Sequence, residues 1–180
     1  GAYHHFIPSA VNHILLRGEF YTAYTPYQPE VSQGTLQAIF EYQSMLCALT
    51  GMEAANASHY DGATSLAEAI IVAINEARGK RRKIVLSAGI NPQYREVVRT
   101  YMQGQDVTFV GDDRVRTPAE LLELVDDQTA MLAAAYPNFF GQIEDLTGLA
   151  GKLHSQKVLL ALVADPIMLG LFKSPGELGA

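Results

Sequence analysis

Four side chains near the N-terminus combine types that can hold a small polar molecule: Tyr24, Tyr27, Glu30 and Gln33, within TAYTPYQPEVSQG from Thr22 to Gly34. Two phenols, a carboxylate and an amide offer donors and acceptors within a few residues of one another. Pro26 and Pro29 fix their own φ and restrict the residues before them, so the intervening side chains are held in place. Groups fixed in advance suit a site that must bind a small ligand and exclude water. The same prolines would equally shape an interface loop, and both readings stay open on residue types alone.

A second constellation is HYDGATSLAEA, from His59 to Ala69. A polar turn followed by an apolar helix presents backbone N–H groups and hydroxyls at the positive end of a helix dipole, a natural place for an anion. Asp61, Gly62, Ala63 and Thr64 are the candidates, against the simpler reading of a helix capped by Asp61. The third is Asp165, which ends the apolar run VLLALVA and precedes Pro166. A carboxylate at a strand's carboxyl end is where a cofactor's cationic nitrogen is held, and also where a loop is capped. The histidines carry no metal site: His4 and His5 are adjacent and diverge on any regular element, and His13, His59 and His154 lack paired ligand spacing.

Composition narrows the function classes. In 180 residues the chain carries 19 acidic and 13 basic residues, a net charge of −6, and 48% hydrophobic residues. That suits one globular domain with a sizeable core and argues against disorder. The basic run Lys80–Lys83 is short and reads as a solvated turn, so nucleic acid is not an expected partner. No apolar run has the length of a membrane span, and GAYHHFIPSA lacks the order of a signal peptide. The single Cys47, between Leu46 and Leu49, reads as a small buried hydrophobe in a reduced, cytoplasmic setting, which leaves the sequon Asn56-Ala57-Ser58 unused. The start without Met and the stop at GELGA suggest an excised piece of something longer.

The elements that must position these residues follow from periodicity. Pro8 to Arg17 reads as a short helix stopped by Gly18. Ser32 caps a longer helix that ends at Gly51, with Leu36, Ile39, Phe40, Leu46 and Cys47 on a broad apolar face that needs a sheet or a partner. A helix runs from about Ala63 to Arg78. Strand KIVLS, a helix capped by Asn91 with Pro92 first, strand VTFVG, a helix from Thr117-Pro118 through Val125, strand AMLAAAY, helix IEDLTGLAGKLHS and strand VLLALVA then alternate. Continuous apolar strands alternating with helices predict a doubly wound, mostly parallel α/β sheet covered on both faces. In such sheets ligands bind beyond the carboxyl ends of the strands, so SAGINP, PNFFGQIED and DPIMLGLFKSPGE should line one crevice. No G-x-G-x-x-G follows a strand, TGLAGK is too short between its glycines for a P-loop, and no G-x-S-x-G elbow is present.

The stretch TAYTPYQPEVSQGTLQAIFEYQSMLCALTGMEAANASHYDGATSLAEA, with YPNFFGQIEDL and VADPIMLGLFKSPGELGA in the same order, resembles the P-protein of the glycine cleavage system, in the form whose first subunit is a separate chain. The resemblance covers essentially the whole chain. It implies the large domain of a fold type I pyridoxal-phosphate enzyme, truncated here: residues 1–34 a helix and an active-site or interface loop, residues 35–180 an α/β core incomplete at its C-terminal end. It implies a part in the decarboxylation of glycine and the transfer of the aminomethyl group to the lipoyl arm of the H-protein. It further implies that pyridoxal phosphate is held covalently by subunit 2, because none of Lys80, Lys83, Lys152, Lys157 and Lys173 matches the family's lysine. On that reading Asp61, Gly62, Ala63, Thr64 and Asp165 occupy the phosphate-cradle and pyridinium-partner places of the fold. Tyr24, Tyr27, Glu30 and Gln33 then reach into a site shared with the partner. A non-catalytic scaffold, and an autonomous pyridoxal-phosphate enzyme with a lysine further along, are the alternatives.

Overall fold

A computed structural model describes residues 4–21 and 25–180. Helices α1 (Ser9–Leu15), α2 (Gly18–Tyr21) and α3 (Gln33–Thr50) lead into an alternating unit. It comprises α4 (Gly62–Glu76), β1 (Lys83–Leu86), α5 (Pro92–Tyr101), β2 (Thr108–Val110), α6 (Pro118–Leu122), β3 (Thr129–Tyr136), α7 (Leu149–His154) and β4 (Leu159–Ala164), followed by a 3-10 turn at Met168–Gly170. The four strands are all parallel, in the order β2-β1-β3-β4.

The sheet's interior follows from alternation within continuously apolar strands. Ile84, Leu86, Met131 and Ala133 point to one face, where Leu66, Ile70 and Ile74 of α4 and Val98 of α5, with Met102, cover them. Val85, Leu132 and Ala134 point to the other, under Leu121 of α6 and Leu149 and Leu153 of α7. Helices cover both faces of the central strands β1 and β3, so their middle positions are apolar on both sides and these strands carry no polar alternation. The doubly wound expectation therefore holds.

Local signals set several helix boundaries. Asn91 Oδ1 accepts the Gln93 amide at 2.9 Å, and Pro92 starts α5 with a fixed φ and no N–H to satisfy. Thr117 and Glu120 form a reciprocal capping box at α6. Gly51 ends α3 with φ +69°, and the Gly176 amide donates to Thr50 O at 2.9 Å. A Cβ on Gly176 would strike the Gly51 carbonyl, so the end of α3 is pinned where only glycine allows the backbones to meet.

Other boundaries differ from the sequence expectation. Gly18 does not stop the chain's helical character but opens α2. Ser32 stands at the N-cap position of α3 with φ −109° and ψ 21°, outside the extended region a capping hydroxyl needs, and its side chain makes no cap bond. The α6 helix ends at Leu122, before Val125. The last helix begins at Leu149 and not at Ile143, because Gly148 takes φ +75° and Asp145 turns the chain by accepting the Thr147 amide at 3.0 Å. Arg81, expected in a solvated turn, is half-buried and braces the sheet's lower end, donating to Gln156 O at 2.8 Å and Lys157 O at 3.1 Å. Cys47 is only half-buried.

No residue of α1, α2 or α3 is buried. Phe40 and Met45 of α3 are 66% and 64% exposed, so the apolar face expected to meet a sheet or a partner meets no sheet here. Burial predicts where truncation hurts. Leu132→Ala, at 0% exposure, should cost about 2–5 kcal/mol of unfolding free energy, whereas Phe40→Ala should change the isolated protein by less than about 0.5 kcal/mol; urea denaturation of the two variants measures both.

Candidate active site at the carboxyl edge of the sheet

The loops leaving β1, β3 and β4 meet at one edge, as parallel strands dictate. Phe139 N–H donates to Gly89 O at 2.7 Å, joining the β1 and β3 loops, and Asp165 N–H donates to Tyr136 O at 3.4 Å, joining β4 to β3. The Tyr136 and Phe172 rings pack edge to face, their centroids 6.3 Å apart. Because α4 and α5 both run against the strands, their N-termini reach the same edge. Tyr94, in the first turn of α5, lies over Gly62, where a Cβ would come within 2.8 Å of its hydroxyl.

The PNFFGQIED loop is organised by a residue that sequence reasoning missed, Asn138. It is 5% exposed. Its Oδ1 accepts the amides of Phe140 at 3.0 Å and Gln142 at 2.9 Å, and its Nδ2 donates to Glu144 Oε1 at 2.7 Å. An asparagine that accepts backbone amides two and four residues ahead is a local turn former, and the order Pro-Asn-Phe-Phe-Gly carries that signal. The turn presents Phe139 and Phe140, 53% and 55% exposed, as a T-shaped pair at the rim. Ser87 is buried beneath it, accepting the Gly89 amide at 3.0 Å.

Asp61 caps α4. Its Oδ1 accepts the Thr64 amide at 2.8 Å and the Thr64 hydroxyl at 2.9 Å, while Thr64 Oγ1 in turn accepts the Asp61 amide at 3.0 Å. Ser65 Oγ donates to Asp61 O at 2.8 Å. The Thr64 amide, then its hydroxyl, hold the Asp61 carboxyl below the ordinary carboxylate range. The candidates at Asp61, Gly62, Ala63 and Thr64 thus form a charged cap. Asp165 Oδ1 accepts the Ile167 amide at 2.9 Å, and its Oδ2 lies 3.7 Å from His5 Nε2.

The opening loop stands apart. Tyr27 is 82% exposed, Glu30 and Gln33 are exposed, and none of the three makes a side-chain hydrogen bond among the described residues. Tyr24 lies outside the described residues. The structure therefore brings Asp61–Thr64 and Asp165 to one sheet edge, and among the described residues Tyr27, Glu30 and Gln33 make no side-chain hydrogen bond there. Near that edge a cavity of about 380 Å³ is bounded by Tyr136, Glu144, Leu146, Phe172 and Lys173. A larger one of about 560 Å³ lies at the opposite edge, between Ala73 of α4 and Lys157 and Leu159 at the foot of β4, away from every candidate residue. Among the described residues no group of histidine, cysteine and carboxylate side chains is placed to hold a metal ion, and no helix is long and apolar enough to cross a membrane.

The family model for the glycine cleavage system P-protein matches residues 1–180. The chain belongs to the P-protein family. A relative from Thermomicrobium roseum named "Probable glycine dehydrogenase (decarboxylating) subunit 1" is 53% identical over 100% of this chain and 41% of its own length. One of the same name from Moorella thermoacetica is 54% identical with the same coverage of both chains. The chain thus spans about two fifths of the length of these relatives. A crystal structure of glycine decarboxylase (P-protein) of the glycine cleavage system, in inhibitor-bound form, superposes with a TM-score of 0.90 at 43% identity, covering 100% of this chain and 40% of the other. A Burkholderia pseudomallei sphingosine-1-phosphate lyase shares the fold alone, with a TM-score of 0.63 at 20% identity over 86% of this chain. The fold is that of the type I pyridoxal-phosphate enzymes.

Pyridoxal phosphate does not fit the residues of this P-protein chain as a complete site. The α4 terminus, where an anion would sit, already carries the Asp61 carboxylate on the Thr64 amide, so a phosphate there would meet a negative charge. Lys80, Lys83 and Lys157 stand at the foot of the strands, at the opposite edge, Lys152 is inside α7, and Lys173 lies in the field of Asp145 and Glu177.

Two measurements check this geometry. Asn138→Ala strips the acceptor from two loop amides and should lower stability by about 2 kcal/mol. Asp61 has a folded pKa depressed below its unfolded value, so its contribution is complete above about pH 4 and is lost as pH falls through the folded pKa. Asp61→Asn keeps the acceptor without the charge. Its urea midpoint should fall less than that of the parent protein between pH 6 and pH 3, with the two curves converging at the acid end.

Proposed function

We propose that this chain is part of subunit 1 of a glycine cleavage system P-protein, a cytoplasmic heteromeric glycine dehydrogenase (decarboxylating). The carrying observation is its match along all 180 residues to the P-protein family model, at 53% identity to a relative bearing the subunit 1 name. The reaction we assign to the assembly releases CO2 from glycine and passes the aminomethyl group to the lipoyl arm of the H-protein. Subunit 2 would hold pyridoxal phosphate, a reading supported by the self-capped α4 terminus and by Lys80, Lys83 and Lys157 standing at the opposite edge.

What this chain contributes is positioning. Pro26 and Pro29 restrict the backbone around Tyr27 and Glu30, which are exposed and make no side-chain hydrogen bond among the described residues. We assign Tyr24, Tyr27, Glu30 and Gln33 to a site completed across the subunit boundary, where Glu30 would face the substrate ammonium and the tyrosine hydroxyls would donate to its carboxylate. Phe139 and Phe140, fixed by Asn138, would add an apolar rim that keeps water out.

The scaffold reading draws on the same Asp61 cap, since a closed anion place suits a chain kept for assembly. The two readings separate in a reconstitution of the full-length subunit with subunit 2 and lipoylated H-protein. Glu30→Gln or Tyr24→Phe should lower glycine-dependent CO2 release by on the order of 10²-fold with complex formation intact. Activity and assembly falling in proportion would favour the scaffold. Failure of the unmodified subunit to restore CO2 release would overturn the assignment.

A further inference from the structure

We propose that Asp165 serves as the latch for the N-terminal arm, with His5 as the positioning residue that reaches it. His5 Nε2 lies 3.7 Å from Asp165 Oδ2, and the two side chains are 38% and 28% exposed, so the pair is only partly open to solvent. The contact joins the start of the chain to the carboxyl end of β4, an element fixed by its pairing with β3. Residues 4–21 include no buried side chain, and Phe6 and Leu16 are 90% and 74% exposed. Among the described residues the arm buries no side chain in the domain, so a polar contact between His5 and the end of β4 bears directly on where the arm lies.

The two oxygens of Asp165 have separate duties. Oδ1 accepts the Ile167 amide at 2.9 Å and shapes the turn after β4, while Oδ2 faces the imidazole. A carboxylate at a strand end, the kind of group that would hold a ring nitrogen of a cofactor, is here directed at an imidazole of the same polypeptide. In sequence order the arm's helices α1 and α2 come before the loop that bears Tyr27 and Glu30. Fixing its root over the carboxyl edge limits where that loop can be presented. The consequence for catalysis rests on the function proposed above, whereas the latch itself does not.

The division of labour makes the test specific. Asp165→Asn retains an acceptor for the Ile167 amide and removes only the charge offered to His5. In the full-length subunit assembled with its partner, amide exchange of residues 4–21 is measured for the unmodified protein, His5→Ala, Asp165→Asn, the double variant and Asp165→Glu. Each single variant should lower the arm's protection about fivefold, the double variant no further, and Asp165→Glu should restore most of it. Raising salt should bring the unmodified protein toward the variants and leave the variants unchanged, since an ion pair is screened and apolar packing is not. Unchanged protection in either single variant, additive losses in the double, or no salt response in the unmodified protein would overturn the latch. Because exchange is read without turnover, the latch can fail while CO2 release is restored, or stand while it is not.

Discussion

The burial of β3 on both faces is the constraint on which the rest of the molecule depends. Met131 and Ala133 face α4 and α5, and Leu132 and Ala134 face α6 and α7. A strand enclosed in this way cannot end in a tight hairpin, since its neighbours β1 and β4 are parallel to it and each return must cross a face as a helix. Every loop that leaves the sheet's carboxyl end therefore emerges on one edge. The meeting of Gly89 with Phe139 and of Asp165 with Tyr136 follows from that connectivity. The crevice is thus a result of how the core excludes water.

What fills that edge is hydrogen bonding within the chain itself. Asn138 is committed to two amides and to Glu144, Asp61 to Thr64, and Asp165 to Ile167. Further along the same edge, Asp112 receives Arg95 and Arg99. Burial pushes its carboxyl up, but the hydrogen bonds and charges of Arg99 and Arg95 outweigh this and hold it low. Each carboxylate is spent on fixing a loop, so the described chain offers a small anion few free donors and much fixed negative charge. The loops at this edge are therefore set by the chain's own hydrogen bonds and ion pairs.

The core was legible in the residues because its signals are local and redundant. IVL, AMLAAAY and LLALVA are continuous apolar runs within the strands, and Asn91-Pro92 and Thr117-x-x-Glu120 mark helix starts by chemistry that needs no tertiary context. Where the reading slipped, a local pattern was ambiguous. Ile143, Leu146 and Leu149 keep helical spacing through a segment that Gly148 and Asp145 break, because spacing records which side chains are buried and not how the backbone arrives. At the edge, sequence located the loops but not the duties within them. HYDGATS reads alike as an anion cradle and as a capped helix, and only the direction of the Asp61 carboxylate separates the two. The approach of His5 to Asp165 spans nearly the whole chain, and no local rule reaches that far.

The α3 helix is where local and global demands remain apart. It is 18 residues long with Glu41 as its single charge and no buried side chain. A helix of that length is marginal in water unless one face is packed, and contiguous exposed apolar surface is characteristic of a face that another chain or segment covers. Within the described residues it is tied down at its end by Gly51 and Gly176 and along its length by Gln43, which donates to Ala55 O. These contacts fix its position without covering its apolar side. A face with so little charge gains nothing from steering and much from permanent burial, so it fits an obligate interface better than a transient one. The loop bearing Tyr27 and Glu30 enters directly into this helix. A chain or segment lying over α3 would therefore pass close to those side chains.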